Sequence, residues 1–307
     1  MRDQGVKVTL VRLATNPSVE RAGIGAIPTP ICYGHRGARG HAPENTLLSF
    51  ALAFDLGADG IECDAQLSAD GRLLIIHDGT VNRTTNGRGL VHDLSFDALR
   101  QLDAGGGQRI PTLDETLALV GERGGLLNLE LKGENDAEAL AVAEAVAARL
   151  AALPDDDPLR RDILASSFSL PAVAEIKRRL PWLRVGALFG GRAWTRQQMI
   201  ERALALGAEA IHPHPRILTA ETVRAAHEAG LRVNVWTANR WATIRQLIAW
   251  EVDGVFSDFP ERVVITLISF ILRTATRRMP NRPHWRQGPL SSASKIGFCA
   301  TTARFDG

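Results

Sequence analysis

Cysteine is scarce in this chain of 307 residues: Cys32, Cys63 and Cys299 form an odd set without a CxxC pair. Such spacing offers neither a disulfide framework nor a zinc site, and it points to a reducing, cytoplasmic setting. Long apolar runs are missing as well. The stretch Val263–Leu272 is interrupted by Thr266 and Ser269 and falls short of the roughly 20 residues a membrane helix needs. Segment 1–23 shows no unbroken apolar core ahead of a small-residue cleavage site, so no secretory signal is expected. A strong charge bias is absent too, since the formal net charge is only +2, too small to imply a nucleic-acid partner.

The charge is nevertheless uneven. Of 36 basic and 34 acidic residues, the segment from Arg273 to Gly307 holds seven and one, leaving 29 and 33 in the body, a net of −4. That basic tail lacks the aromatic interleaving of a single-strand binder beyond Trp285 and Phe298. With 45% hydrophobic and 23% charged residues the composition is that of a globular protein with a large core. The length fits two domains of about 150 residues, or one (β/α)8 barrel of about 250 residues with extensions.

Residues 1–29 lack periodicity and end in GIGAIPTP, which reads as an N-terminal extension and linker. Strand candidates follow at Ile31–Gly34, Gly60–Leu67, Leu73–Asp78, Leu126–Lys132, Ile163–Ser167, Arg184–Leu188, Ala210–His212, Arg232–Thr237 and Gly254–Ser257. Helical stretches such as Ala137–Leu153 and Thr219–Ala229 lie between most of them, which argues for a parallel sheet covered by helices. Nine candidates stand where a barrel needs eight, so one is an extra or a misread strand. The domain expected is 30–272, followed by a basic tail, 273–307, expected to be disordered.

Two strands choose the barrel. In Gly60–Leu67 the polar residues are Glu62, Asp64 and Gln66; in Leu126–Lys132 they are Asn128, Glu130 and Lys132. Alternate strand residues share a face, so each segment has one apolar face and one polar row. A parallel strand is normally buried on both faces, and a buried carboxylate costs several kcal/mol unless paired or metal-bound. A TIM (β/α)8 barrel resolves the conflict: the apolar face meets the helices and the polar row points into the mouth. The competing arrangement is an edge strand with one solvated face.

At that mouth Glu62, Asp64 and Glu130 would converge as oxygen ligands for one hard divalent cation, Mg2+ or Ca2+. Lys132, on the face of Glu130, neutralises the cluster or contacts a phosphate oxygen. His35 and His77 both follow apolar strand segments and are suited to proton transfer near neutral pH. Arg36 offers a guanidinium to phosphate, and Gly37 permits close backbone approach. The helix after the first strand is introduced by Pro43-Glu44-Asn45-Thr46, with Asn45 or Thr46 as N-cap and Phe50 and Phe54 on its covered face. Asn45 is read as structural, while Glu44 either lines the mouth or only sits near the helix start. Arg83, in the polar loop after His77, pins that loop or touches substrate. Trp236 is a wall of the mouth or ordinary core, and His212 and His214 are structural or peripheral.

These residues together resemble the glycerophosphodiester phosphodiesterases. The resemblance runs through Tyr33-Gly34-His35-Arg36-Gly37, Pro43-Glu44-Asn45-Thr46, Gly57-Ala58-Asp59-Gly60-Ile61-Glu62-Cys63-Asp64, His77-Asp78, Asn82-Arg83-Thr84-Thr85 and Glu130-Leu131-Lys132. It ends with Ser166-Ser167-Phe168, Val235-Trp236-Thr237 and Asp253-Gly254-Val255-Phe256-Ser257-Asp258, covering roughly 31–262. It implies a TIM barrel that hydrolyses glycerophosphodiesters to glycerol 3-phosphate and an alcohol with one divalent cation. His35 and His77 would be the acid–base pair, and Glu62, Asp64 and Glu130 the metal ligands. Arg36 and Lys132 would bind phosphate, with Trp236 beside the substrate. Departures at Cys63, Ala65-Gln66 and Ser257 remove no catalytic group.

The runner-up is a related barrel acting on lipids, a lysophospholipase D or a sphingomyelinase-D-like enzyme. It would use Val263–Leu272 and the following arginines to touch a membrane, a contact the sequence does not favour. A non-catalytic phosphate-binding barrel would be expected to lose one of the five catalytic or ligating groups, and all are present. Head group and oligomeric state are not legible.

Overall fold

The computed structural model describes residues 29–191 and 193–277. Nine strands form one sheet: β1 (Ile31–His35), β2 (Gly60–Leu67), β3 (Leu73–Ile75), β4 (Leu126–Leu131), β5 (Ile163–Ser167), β6 (Arg184–Phe189), β7 (Ala210–Pro213), β8 (Arg232–Val235) and β9 (Gly254–Ser257). Eight of them are parallel, and β1 pairs with both β9 and β2, which closes a TIM barrel. The ninth is β3, which pairs antiparallel with the far end of β2, Leu73 opposite Leu67 and Ile75 opposite Ala65. The extra candidate was therefore real, but it is a hairpin arm outside the barrel wall.

The alternation in β2 and β4 is satisfied as a barrel requires. Ile61, Cys63, Ala65, Leu127, Leu129 and Leu131 join the main core between strands and helices. Glu62, Asp64, Asn128 and Glu130 are buried on the opposite face, with Asp64 and Glu130 as register partners. His35 is the register partner of Glu62 across β1 and β2. Pairing alone thus brings a histidine and three carboxylates to one end of the barrel.

Helices start where the sequence offers caps. Thr46 accepts from Ser49 N to open Leu47–Asp55, whose Phe50 and Phe54 are buried. Thr112 and Glu115 form a reciprocal capping box for Leu113–Arg123. The last helix, Pro260–Arg277, packs Val263, Val264 and Leu267 into the core and runs straight through the boundary expected at residue 272. Segments 1–28 and 278–307, which include most of the expected tail, lie outside the described residues.

Between β3 and β4 the chain builds a small second core from Leu74, Ile76, Val81, Val91, Leu99, Ala104 and Ile110. From sequence alone this region reads as one strand and a polar loop. It matters because it carries His77: β3 runs back toward the barrel, and Ile76 N donates to Asp64 O at 2.8 Å. His77 reaches the mouth as the end of a returning hairpin, not as the end of a barrel strand.

Candidate active site

The turn after β1 sets the first half of the site. Arg36 (φ 51°) and Gly37 (φ 80°) both adopt left-handed backbone, which turns the chain back over the barrel end. A Cβ on Gly37 would lie 2.4 Å from Ser49 Oγ and 2.6 Å from Ser49 C, so only glycine fits. The turn lets Arg36 N donate to Glu62 Oε2 at 2.8 Å, fixing one carboxylate before any side chain of the loop contributes.

Ligand oxygens of Glu62, Asp64 and Glu130 lie within 4.8 Å of one another, and all three residues are buried. Burial, with Asp64 and Glu130 close by, pushes the Glu62 carboxyl well above the usual carboxylate range. Burial also raises Glu130, and Asp64 adds to it, although Lys132 resists. Asp64 moves the other way: burial opposes its charge, but Lys132, His77, Arg36 and an Asn45 hydrogen bond outweigh that and hold it low. Lys132 Nζ donates to Glu130 Oε1 at 2.9 Å and stands 3.8 Å from Asp64 Oδ1. Even so, Glu62 Oε1 and Asp64 Oδ1 are buried without a hydrogen-bond partner. Buried acceptors are rarely left this way, and an oxygen-only set with orphaned acceptors fits a hard cation.

Both histidines hold the same nitrogen, Nδ1, against an aspartate. His35 Nδ1 is 2.6 Å from Asp258 Oδ1, while its Nε2 lies 4.0 Å from Glu62 Oε2. His77 Nδ1 is 2.7 Å from Asp78 Oδ1, and its Nε2 is 3.2 Å from Lys132 Nζ. Each aspartate therefore orients a ring: Nε2 of His35 lies beside Glu62, and Nε2 of His77 lies beside Lys132, which also contacts Glu130 and stands near Asp64. Burial lowers both histidines below their ordinary value, with Asp258 resisting at His35 and Asp64 at His77.

The remaining candidates divide. Arg36 Nη1 donates to Glu44 Oε1 at 2.8 Å and its Nε lies 3.4 Å from Asp64 Oδ2, so it is held between two acids at the mouth. Glu44, undecided in the sequence, sits inside this network. Burial opposes its charge, yet Arg83 and Arg36 bring its carboxyl down to about 2. Arg83 grips Glu44 and Asp78 together and is the pin of its loop. Trp236 is half-buried, donates Nε1–H to His212 O at 2.7 Å, and meets Phe168 and His214 edge-on. His212 is fully buried against Asn234, 3.0 Å away, away from the trio.

Three residues were not found by sequence reasoning. Asn45, taken as a structural cap, does not cap the helix. It has positive φ and donates Nδ2–H to Asp64 Oδ2 at 2.8 Å, while Thr46 supplies the cap. Asp258, just beyond the end of β9, orients His35 and is itself held by Asn239 Nδ2 at 2.7 Å. The strand-end logic that located His35 applies equally to Asp258. Asp78, next in sequence to His77, was passed over as its neighbour. On the hairpin side a cavity of about 430 Å³, lined by Gln66, His77, Asp78, Lys132 and Glu134 among others, opens beside the trio.

Residues 35–262 match the model of the glycerophosphoryl diester phosphodiesterase family. The chain belongs to that family. A glycerophosphodiester phosphodiesterase of Caldanaerobacter subterraneus subsp. tengcongensis is 34% identical over 241 residues, 76% of this chain and 96% of that one. Among solved structures, an Oleispira antarctica phosphodiesterase in complex with the product sn-glycerol-3-phosphate is 33% identical. The likeness has a TM-score of 0.70 and covers 78% of this chain and 97% of that one. A glycerophosphodiester phosphodiesterase from Agrobacterium tumefaciens is 30% identical with a TM-score of 0.64, over 77% and 99% of the two chains. The chain is a phosphodiesterase of this family, spanning nearly the whole length of these relatives. None of the described helices is long and apolar enough to cross a membrane.

Proposed function

We propose that the protein hydrolyses glycerophosphodiesters to glycerol 3-phosphate and an alcohol, with His35 and His77 as the acid–base pair. One observation carries this reading: two histidines, each held at Nδ1 by an aspartate, stand at one buried carboxylate trio, His35 beside Glu62 and His77 beside Lys132, itself bonded to Glu130. Glu62, Asp64 and Glu130 would hold one Mg2+ or Ca2+. Bound there, the cation supplies charge that offsets the phosphodiester oxygens as negative charge builds up in the transition state.

The protein's own groups do the proton work. Lys132 faces His77 Nε2 as a donor and keeps that ring in its basic form. His77 Nε2 accepts the proton of the nucleophile, either the glycerol 2-hydroxyl or water. His35 is paired with Asp258, a carboxylate that supports a proton on its ring once the substrate phosphate is near. It donates that proton to the leaving alkoxide. Were the glycerol hydroxyl the nucleophile, a cyclic phosphate forms and water opens it with the two roles exchanged. Arg36 and Lys132 orient the phosphate, and Trp236 limits the space for the organic groups. A cytoplasmic location belongs to this reading, supported by the unpaired buried thiols of Cys32 and Cys63.

The test is release of glycerol 3-phosphate from glycerophosphocholine, -ethanolamine, -inositol and -glycerol after EDTA, with Mg2+ and Ca2+ restored separately. Activity that survives EDTA undiminished overturns the metal assignment. Turnover of lysophosphatidylcholine, with none of the four soluble diesters, would move the protein to the lipid reading.

A further inference from the structure

The helices Trp241–Ala249 and Pro260–Arg277 leave a groove of about 200 Å³ between them on the outer surface. Trp241, Arg245 and Ile248 line one side, and Ile265, Phe270 and Arg273 line the other. The spacings 241, 245, 248 and 265, 269, 273 each define one helix face. Single exposed apolar residues are ordinary on a protein surface, but contiguous ones mark a contact site. Here Trp241 is 40% exposed, Ile265 50% and Phe270 37%, all around one groove whose floor is the buried Ile248. The last helix is thus apolar twice over: Val263, Val264 and Leu267 face the barrel, while Ile265 faces out.

Charge selects the occupant. No acidic side chain lines the groove, and Arg245 has no ion pair among the described residues. Beyond Arg273 the sequence continues through a segment with six basic residues and one acid. Tryptophan beside arginine over an apolar face is the pattern of a protein resting in the headgroup layer of an anionic bilayer. The position is also suited to the site. Trp241 follows the loop after β8, whose Asn239 holds Asp258, so the Trp241 end of the groove lies toward the barrel mouth. We propose that this groove and its arginine rim are a peripheral docking surface for anionic membranes, holding the mouth close to the lipid surface.

The experiment is co-sedimentation of the full chain with vesicles of phosphatidylcholine alone and with 30% phosphatidylglycerol. Binding to the anionic vesicles only is expected. It should fall at least tenfold in the triple variant Trp241→Ser, Ile265→Ser, Arg245→Glu, with its circular dichroism and its turnover of a soluble diester unchanged. A full-length chain with Arg278, Arg282 and Arg286 changed to Gln locates the charge and should keep most of the binding. Absence of binding to anionic vesicles overturns the proposal. So does equal binding by the triple variant, or binding lost only in the tail variant. A concentration-dependent dimer abolished by the triple variant, without vesicle binding, assigns the groove to a second copy instead.

Discussion

His35 Nδ1 and Asp258 Oδ1, separated by 223 residues in sequence, stand 2.6 Å apart. The pairing of β1 with β9 closes the barrel and makes this contact at the same time, because Gly34 and Ser257 are register partners. Burial opposes the charge of Asp258, but His35, Arg39 and Asn239 hold its carboxyl below the usual range, so it stays an acceptor for the ring N–H.

Asp258 acts through His35, so its loss should resemble a disoriented ring and not a missing one. Asp258→Asn is expected to lower kcat roughly 10–100-fold, the usual worth of an orienting carboxylate, and to leave KM nearly unchanged. The pH dependence of kcat/KM should shift as well, which a purely structural effect would not cause. An unchanged kcat would show that His35 finds its orientation without Asp258.

The two histidines themselves should cost more. His35→Ala and His77→Ala are each expected to reduce kcat by about 10²–10⁴, the range for loss of acid–base catalysis. Steady-state release of glycerol 3-phosphate measures this. Near-full turnover in either variant removes that ring from the chemistry.

Why His35 was easier to place than His77 shows what the sequence could reveal. Alternation in β2 and β4 identified the barrel and its carboxylates, because a polar row on a parallel strand has few places to go. His35 followed from its position at a strand end. His77 was placed at the right end for the wrong reason: antiparallel pairing of Leu73–Ile75 with Ala65–Leu67 is a long-range choice with no local signature. The small core around Leu99 and Ile110 was invisible for the same reason. Asn45 shows another limit. Asn-Thr before a helix reads as two candidate caps, and only the positive φ that frees Asn45 to reach Asp64 tells them apart.

Three carboxyls crowded in one buried pocket should make cation binding visible in stability as well as in activity. A cation at 100 times its Kd stabilises a fold by about 2.7 kcal/mol, so Mg2+ or Ca2+ should raise Tm by several degrees. Glu62→Gln is expected to remove most of that rise, and the metal-free variant should be at least as stable as the metal-free parent. The reason is that burial and like charges already disfavour an ionised Glu62. Differential scanning fluorimetry with each cation and with EDTA reads all four states. A variant that keeps the full rise would take Glu62 out of the ligand set.

Acid should weaken the fold through His212. Burial brings this ring down to about 3, while in the unfolded chain its pKa is about 6.5. Below 6.5 the unfolded state binds a proton that the folded state refuses, so stability falls as pH falls, until about pH 3. At pH 5 the loss from this residue is about 2 kcal/mol relative to neutral pH. That figure hardly depends on the folded value, provided the folded value stays well below 5. Glu44 loses stability in the same direction only at lower pH, since its ordinary value is 4.5 and its folded value about 2. His212→Gln keeps an acceptor for the Asn234 amide and removes the titration. Urea unfolding at pH 7 and pH 5 should therefore show a drop about 2 kcal/mol smaller in the variant than in the parent. Equal drops would mean that the folded ring titrates close to its unfolded value of about 6.5, and with it that the barrel interior around Asn234 admits water.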